Sequence, residues 1–91
     1  MTAVLDHAGC VVGIYTDGDL RRTLEKGVDL RETRVSEVMS GHPRTIGPER
    51  LAVEAVEIME RNKVNQILVV DEGKHLAGAL NMHDLFRAKV I

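Results

Sequence analysis

The sequence predicts an α+β fold of short three-stranded sheets packed with helices, arranged as two pseudo-symmetric units with a cleft between them. The main observation is an internal repeat, because residues 4–22 align without a gap to residues 69–87. Six of these nineteen positions are identical, whereas ordinary composition gives about one. A second observation is that each copy runs from an apolar hairpin into a helix. The identical pairs are Val4 and Val69, Asp6 and Asp71, Gly13 and Gly78, Asp19 and Asp84, Leu20 and Leu85, and Arg22 and Arg87.

The first copy is predicted to contain a β-hairpin and one helix. The elements are strands at residues 2–5 and 10–15, a turn at residues 6–9 and a helix at residues 17–26. Gly27 follows the helix, and glycine is typical of the position just after a helix ends. At the repeat offset, residues 36–65 have no counterpart before Met1. We therefore expect residues 1–34 to be the second half of an incomplete unit in an N-terminally truncated chain.

The second copy, residues 35–91, is predicted to be a complete unit of strand, helix, strand, strand and helix. The elements are a turn at 35–39, strands at 44–46, 66–70 and 75–80, and helices at 47–62 and 82–89. Pro48 is expected at the first helical position, where proline is favoured. Residues 66–70 are too apolar for a strand with one exposed face, so we expect both faces to be covered.

Composition excludes several function classes. The net charge of −2 supplies no basic surface for nucleic acid or an anionic membrane. Tyr15 and Phe86 are the only aromatic residues, too few for a platform on which bases stack. Cys10 is the single cysteine, so the sequence cannot form an internal disulfide. No apolar run reaches the ~20 residues that a membrane span needs, and no signal peptide is evident. We expect a cytoplasmic protein without nucleic acid or membrane partners.

Candidate binding residues lie at the corner between the second hairpin strand and the helix. The corners consist of Gly13, Thr16 and Asp19 in the first copy and Gly78, Asn81 and Asp84 in the second. Each has the spacing of a capping box, in which a side chain caps the helix and an acid reaches back. A helix N-terminus presents unpaired amide groups that suit a phosphate, and the acid can accept from sugar hydroxyls. The glycine leaves room for a ligand to approach the strand.

A capping box alone is structural in most proteins, and what favours binding is its repetition with glycine at the same spacing. These corners, the hairpins before them and residues 35–39 resemble a tandem CBS-domain (Bateman) module. In that family the Thr or Ser contacts a nucleotide phosphate and the Asp contacts the ribose. The resemblance implies such roles for Thr16 and Asp19, and for Asp84 in the second site, where Asn81 replaces the hydroxyl residue.

A narrower resemblance covers nearly the whole chain. Residues 13–22, 51–55 and 82–88 are similar to the C-terminal CBS pair of bacterial arabinose-5-phosphate isomerases. Those enzymes supply arabinose 5-phosphate for the Kdo sugar of lipopolysaccharide, and their catalysis belongs to a separate N-terminal sugar-isomerase domain. The resemblance implies a non-catalytic regulatory module with that domain as its partner. It requires no cofactor, and its implied effector is an adenine nucleotide or a nucleotide sugar such as CMP-Kdo. Members of the family usually carry His at the position of Asn81.

The remaining site residues complete two hypothetical pockets. The amides of Gly18 and Asp19 are expected to hold phosphate together with Thr16. Thr45 and Gln66 flank the cleft of the second copy and are expected to contact the base. His83 borders the second corner. None of the four histidines has the spacing of a metal site.

Two alternatives differ in class. Asp17 and Asp19 after an apolar strand resemble the acidic pair of Mg²⁺-dependent phosphatases, although those enzymes need a larger doubly wound sheet. A purely structural dimerisation module is the stronger alternative. Without the opening strand and helix, the first copy exposes a large apolar patch. Its residues are Val4, Val11, Ile14, Leu20 and Leu24. We therefore expect a homodimer, formed against a partner copy or by exchange of an element.

Overall fold

A computed structural model describes residues 1–88 as two compact units, one formed by Met1–Pro43 and one that begins at Arg44. The first contains β1 (Thr2–Leu5), β2 (Val11–Tyr15), α1 (Asp17–Glu25), α2 (Val35–Val38) and β3 (Ser40–Gly41). The second contains β4 (Thr45–Ile46), α3 (Ala52–Asn62), β5 (Gln66–Val70), β6 (Leu76–Asn81) and α4 (Met82–Arg87). Each unit has a three-stranded sheet and helices, so the predicted α+β class is confirmed.

The first unit is built on the predicted hairpin. Its turn is held by Asp6, whose Oδ1 accepts from the amides of Ala8 and Cys10 at 2.9 Å each. The helix α1 ends as predicted, with Gly27 in the left-handed region at φ +70°. The third strand was not predicted: β3 pairs antiparallel with β2 through only two residue pairs. A strand this short leaves no alternation in the sequence.

The interior of the first unit is polar. Between residues 1 and 43, the buried residues are Gly13, Asp19 and Thr23, and no apolar side chain is buried. The Thr23 hydroxyl donates to the backbone carbonyl of Asp19 at 2.8 Å and lies 2.9 Å from the Tyr15 hydroxyl. Leu20 and Leu24, one turn apart on α1, are exposed. This unit is therefore organised by hydrogen bonds more than by an apolar core of its own.

The second unit has the predicted order of strand, helix, strand, strand and helix. In its sheet, β5 lies between β4, which is parallel to it, and β6, which is antiparallel. The helix α3 makes the crossover that a parallel pair needs. The apolar core of the second unit consists of Ile46, Ala55, Val56, Met59, Ile67 and Leu85. Successive strand residues Ile67 and Leu68 are both buried, which confirms that β5 is covered on both faces.

Of the predicted helix bounds in the second unit, the start of α3 differs from the structure and the end of α4 lies outside the described residues. The expectation that Pro48 begins α3 is wrong: α3 begins at Ala52 after Leu51, which is extended with φ −73° and ψ 146°. The Gly47 carbonyl instead accepts from the Arg50 amide at 3.2 Å, which closes a turn through Pro48. Proline with φ near −65° suits the second position of such a turn as well as a helix start. The predicted end of α4 at Lys89 lies outside the described residues. No helix within residues 1–88 combines the length and apolar character needed to cross a bilayer.

Candidate functional site

The first corner forms the capping box that its spacing predicts. Thr16, extended at φ −112° and ψ 172°, is the N-cap of α1. Its Oγ1 accepts from the Asp19 amide at 3.2 Å, and Oδ2 of Asp19 accepts from the Thr16 amide at 2.9 Å. The Thr16 hydroxyl also donates to Oδ2 at 3.0 Å. Both partners of the box are thus bonded to each other.

The second oxygen of Asp19 is bonded as well. Oδ1 accepts from the Ser40 hydroxyl at 2.8 Å and from the Arg22 guanidinium at 2.5 Å. The Asp19 side chain is 4% exposed, and burial raises its pKa. The hydrogen bonds from the Thr16 amide, Ser40, Arg22 and the Thr16 hydroxyl outweigh burial and hold the pKa below its ordinary value. Asp19 is therefore a buried carboxylate that is fully hydrogen-bonded within its own unit.

The space beside Gly13 is filled by protein. A Cβ built on Gly13 lies 2.4 Å from the Met39 sulfur and 3.0 Å from the Ser40 carbonyl oxygen. The expectation that this glycine leaves room for a ligand is therefore wrong for this structure, because the Met39 side chain occupies that room. A Cβ on Gly18 has the Arg22 guanidinium and the Thr16 hydroxyl as its nearest neighbours, at 3.4 and 3.6 Å.

The second corner is more open than the first. Asn81 caps α4, since its Oδ1 accepts from the Asp84 amide at 2.8 Å. The expected reciprocal bond is absent: within residues 1–88 the exposed Asp84 carboxylate accepts no hydrogen bond. A Cβ on Gly78 has Val69 Cβ at 4.0 Å as its nearest neighbour. His83 is exposed in the first turn of α4. This corner leaves both the glycine and the acid accessible.

The two residues expected beside the base lie at different places in the sheet. Gln66 opens β5 directly opposite Asn81 on β6, so it borders the second corner. Thr45 lies on β4 opposite Leu68, on the other side of β5. It lines a separate cavity of about 220 Å³, which also includes Glu49, Asp71 and Glu72. The second corner therefore brings together Gln66, Gly78, Asn81, His83 and Asp84 but not Thr45.

An apolar groove of about 320 Å³ lies next to Gly78 in the second unit. Small and aliphatic side chains form most of its wall. Arg50 is the one charged residue among the described residues that line it, and its guanidinium pairs with Glu54. Its lining residues are Ile46, Gly47, Pro48, Arg50, Leu51, Ala52, Ala55, Val69, Ala77, Gly78, Ala79 and Leu80. The groove was not expected from the sequence, which offers only the run of small residues around Gly78 as a signal.

Asp17 and Asp19 do not form the acidic pair that a phosphatase requires. Asp17 is exposed in the first turn of α1, whereas Asp19 is buried and held by donors of its own unit. The strands of this unit are antiparallel, unlike those of a doubly wound sheet. Across the part of the chain that the structure describes, no group of three acidic, His or Cys side chains is arranged to hold a metal ion.

A profile of the CBS domain matches residues 35–91, which is more than half of the chain. The chain belongs to the CBS-domain family. The predicted resemblance of the chain to CBS domains is thereby confirmed. The division into residues 1–34 and 35–91 stays a prediction, because the compact units are separated at residues 43 and 44.

Relatives extend the match over all 91 residues. The arabinose 5-phosphate isomerase KdsD of Pseudomonas aeruginosa is 52% identical over the whole chain, which spans 28% of that protein's length. The chain thus spans just over a quarter of the length of this relative. Among solved CBS structures, protein PAE2072 from Pyrobaculum aerophilum, complexed with AMP, has a TM-score of 0.83 and 21% identity. This match covers 91% of the present chain and 63% of that one.

A second solved structure has the same fold. The CBS domain pair of protein MJ0100, in complex with 5′-methylthioadenosine and S-adenosyl-L-methionine, has a TM-score of 0.83 and 21% identity. The match covers 96% of the present chain and 70% of the MJ0100 chain. At this level of identity the likeness establishes the fold, and the arrangement of strands and helices in each unit is that of a CBS-domain protein.

Proposed function

We propose that this chain is a regulatory, ligand-sensing CBS module that binds a nucleotide or a nucleotide sugar and has no catalytic activity of its own. The observation that supports it most directly is the second corner, where an accessible acid and an uncovered glycine lie beside an apolar groove. A flat apolar ring with a polar sugar suits a surface of this kind. The solved relatives complexed with AMP or with adenosine derivatives support this ligand class.

The protein to which the module belongs is, in this proposal, a sugar-phosphate isomerase that supplies arabinose 5-phosphate for Kdo and lipopolysaccharide. The 52% identity to KdsD along the whole chain supports this assignment. The implied partner is an N-terminal sugar-isomerase domain, and CMP-Kdo is a feedback effector consistent with that pathway. We also propose that residues 1–34 and 35–91 belong to successive CBS motifs.

Binding is tested by calorimetric titration of the 91-residue chain with AMP, CMP and CMP-Kdo. The proposed contacts are Thr16, Gly18 and Asp19 at the first corner and Gln66, Asn81, His83 and Asp84 at the second. We expect Thr16→Ala, Asp19→Ala and Asp84→Ala each to weaken binding at their own corner by about 1–3 kcal/mol, the usual cost of losing a hydrogen bond to a charged group.

The controls separate binding from folding. Thr16→Ser keeps the hydroxyl that caps α1 and should retain affinity. Asp84→Ala removes an exposed carboxylate without a partner among residues 1–88, so a loss of affinity in that variant is a loss of ligand contact. Unchanged affinity in all three alanine variants would place the site elsewhere, and the absence of heat with every probe would reject the proposal.

A second candidate function, self-association without a ligand, is favoured by the polar interior of the first unit. No apolar side chain of residues 1–43 is buried, while Leu20 and Leu24 are 38% and 56% exposed on one face of α1. The other residues expected in this patch, Val4, Val11 and Ile14, are half-buried and not exposed, whereas Leu5 and Val12 of the hairpin are exposed. Covering such a surface with a second copy removes apolar area from water and stabilises both chains.

We expect sedimentation velocity to show a monomer–dimer equilibrium that depends on chain concentration. The double variant Leu20→Ser, Leu24→Ser should shift it towards monomer by about tenfold or more, since each leucine contributes roughly 1.5 kcal/mol when buried. Leu76→Ser, at a 40% exposed position of the second unit, is the matched control. A wild-type chain that stays monomeric at every concentration would contradict this prediction.

A further inference from the structure

Arg50 lies at the boundary between two cavities of the second unit. It lines the apolar groove of about 320 Å³ and also the neighbouring cavity of about 220 Å³, and the two share part of their wall. The smaller cavity carries three acidic residues, Glu49, Asp71 and Glu72. Among the described residues that line the groove, none is acidic. The surroundings of Arg50 are therefore acidic on one side and apolar on the other.

This distribution of charge decides from which side an anion can approach Arg50. On the cavity side, the carboxylates of Glu49, Asp71 and Glu72 repel an anion. On the groove side, the neighbours are apolar, and opposite charges attract each other more strongly beside apolar groups than in bulk water. A phosphate group is therefore attracted to Arg50 from the groove and repelled from the cavity.

The guanidinium of Arg50 has donors available for such a group. Its Nε and Nη2 atoms both contact Oε2 of Glu54. A guanidinium carries five N–H donors in a planar fork, and within residues 1–88 the Nη1 atom has no hydrogen-bond partner. The contact with Glu54 thus occupies one edge of the fork and leaves the other edge for a second oxyanion. Two parallel N–H groups of this kind match two oxygens of a phosphate.

The groove has room for the remainder of a nucleotide. Its volume of about 320 Å³ is at the lower end of the roughly 300–1,000 Å³ that is typical of small-molecule pockets. The side chains that α3 and β6 contribute are mainly small, with Ala52 and Ala55 from the helix and residues 77–79 from the strand. An apolar surface with a single cation at its edge suits a molecule that combines an apolar ring with an acidic group.

We propose that Arg50 binds the phosphate of a nucleotide whose ring lies in the groove of the second unit. The inference rests on the proposed nucleotide-binding function and adds a specificity-determining residue outside the two corners. The charge of the ligand then becomes a condition for tight binding, because a nucleoside without phosphate gains nothing from Arg50. Glu54 opposes this effect, since its carboxylate competes with the phosphate for the same cation.

The test is an NMR titration of the 91-residue chain with AMP, CMP and CMP-Kdo and with the uncharged nucleosides adenosine and cytidine. Amide shifts of residues 77–79 report on the groove, so a ligand at the first corner is not counted. We expect Arg50→Gln to weaken binding of the charged ligands about tenfold, as loss of a hydrogen bond to a charged group does. Glu54→Gln keeps an acceptor for Arg50 and removes a negative charge, so it should strengthen their binding about threefold. Both nucleosides should bind equally to all three chains.

The matched control is another pair of opposite charges four positions apart on α3. Glu57 and Arg61 are exposed, and neither lines the groove. Glu57→Gln and Arg61→Gln therefore repeat the two charge changes away from the ligand and should leave every affinity unchanged. Arg50→Lys keeps the charge but loses the planar fork, and we expect it to weaken binding of the charged ligands about threefold.

The outcomes separate the role of Arg50 from the binding function. If a charged ligand shifts the groove amides and binds equally to wild type and Arg50→Gln, the inference is rejected while nucleotide binding stands. An equal loss for the nucleosides, an equal loss in Arg61→Gln, or shifts confined to the first unit reject it in the same way. If none of the charged ligands shifts any resonance, the proposed function and the inference fail together. The Arg50 side chain is 56% exposed, so its replacement should not alter the urea midpoint, and Arg50→Lys decides the test should Arg50→Gln fold poorly.

Discussion

Replacing Met59 by alanine should destabilise the second unit by about 2–5 kcal/mol, the range observed when a large buried side chain is truncated. Met59 is fully buried on α3 and belongs to the core that joins this helix to β5 and α4. Truncation removes apolar contacts and leaves a cavity that the sheet cannot fill. We expect the loss to appear as a lower urea midpoint of the helical circular-dichroism signal.

The control lies on the same helix. Val53 is 43% exposed on α3, so Val53→Ala should change the free energy of unfolding by no more than about 0.5 kcal/mol. Helix propensity favours alanine in both variants, and the difference between them therefore measures burial. Equal effects at positions 53 and 59 would show that Met59 does not lie in the core described above.

Replacing Asp19 by alanine should destabilise the first unit by about 2–3 kcal/mol, because a capping bond and charge-assisted hydrogen bonds are lost together. Arg22 is 61% exposed, so its ion pair contributes little to this figure. Tyr15, the single tyrosine of the chain, lies in this unit and is linked through Thr23 to the Asp19 backbone. Tyrosine fluorescence during urea unfolding therefore reports on the first unit.

Acid should abolish the contribution of the Asp19 carboxylate to the stability of the first unit. The pKa of Asp19 is lowered in the folded chain, so its stabilising effect is fully present above the unfolded value of about 3.9. It declines as the pH falls through the lower folded value. The difference between wild type and Asp19→Ala should thus be constant near neutral pH and shrink below about pH 4. Asp84→Ala, the equivalent position in the repeat, should have almost no effect at any pH, and an equal loss there would refute the assignment.

Local features were predictable from the sequence to the level of single hydrogen bonds. The Thr16 and Asp19 capping box depends on residues three apart, and the end of α1 depends on Gly27 alone. Both are determined within one helical turn. The predicted start of α3 was wrong because Pro48 and Glu49 suit a turn as well as a first helical turn, and the residue types alone do not decide between the two.

Non-local features were not predictable. The two residues of β3 acquire their role by pairing with a strand about 27 positions earlier, and no periodicity marks them. The repeat predicts a glycine at both corners, but it does not predict what lies over each one. The side chain that packs over Gly13 is that of Met39, which is distant in sequence and has no signal in the repeat. The residue types of the candidate site could therefore be predicted from the sequence, whereas their accessibility could not.

The parallel pairing of β4 with β5 has a consequence for the order of assembly during synthesis. The hairpin of β1 and β2 joins neighbours in sequence, so its loop closes at little entropic cost. By contrast, β4 is only two residues long and finds its partner about twenty residues later, beyond α3. During synthesis β4 therefore has no strand to pair with until β5 has been made, and Ile46 stays exposed to water until then. The parallel ladder therefore carries the larger loop-closure cost, and we expect it to pair later in folding than the hairpin.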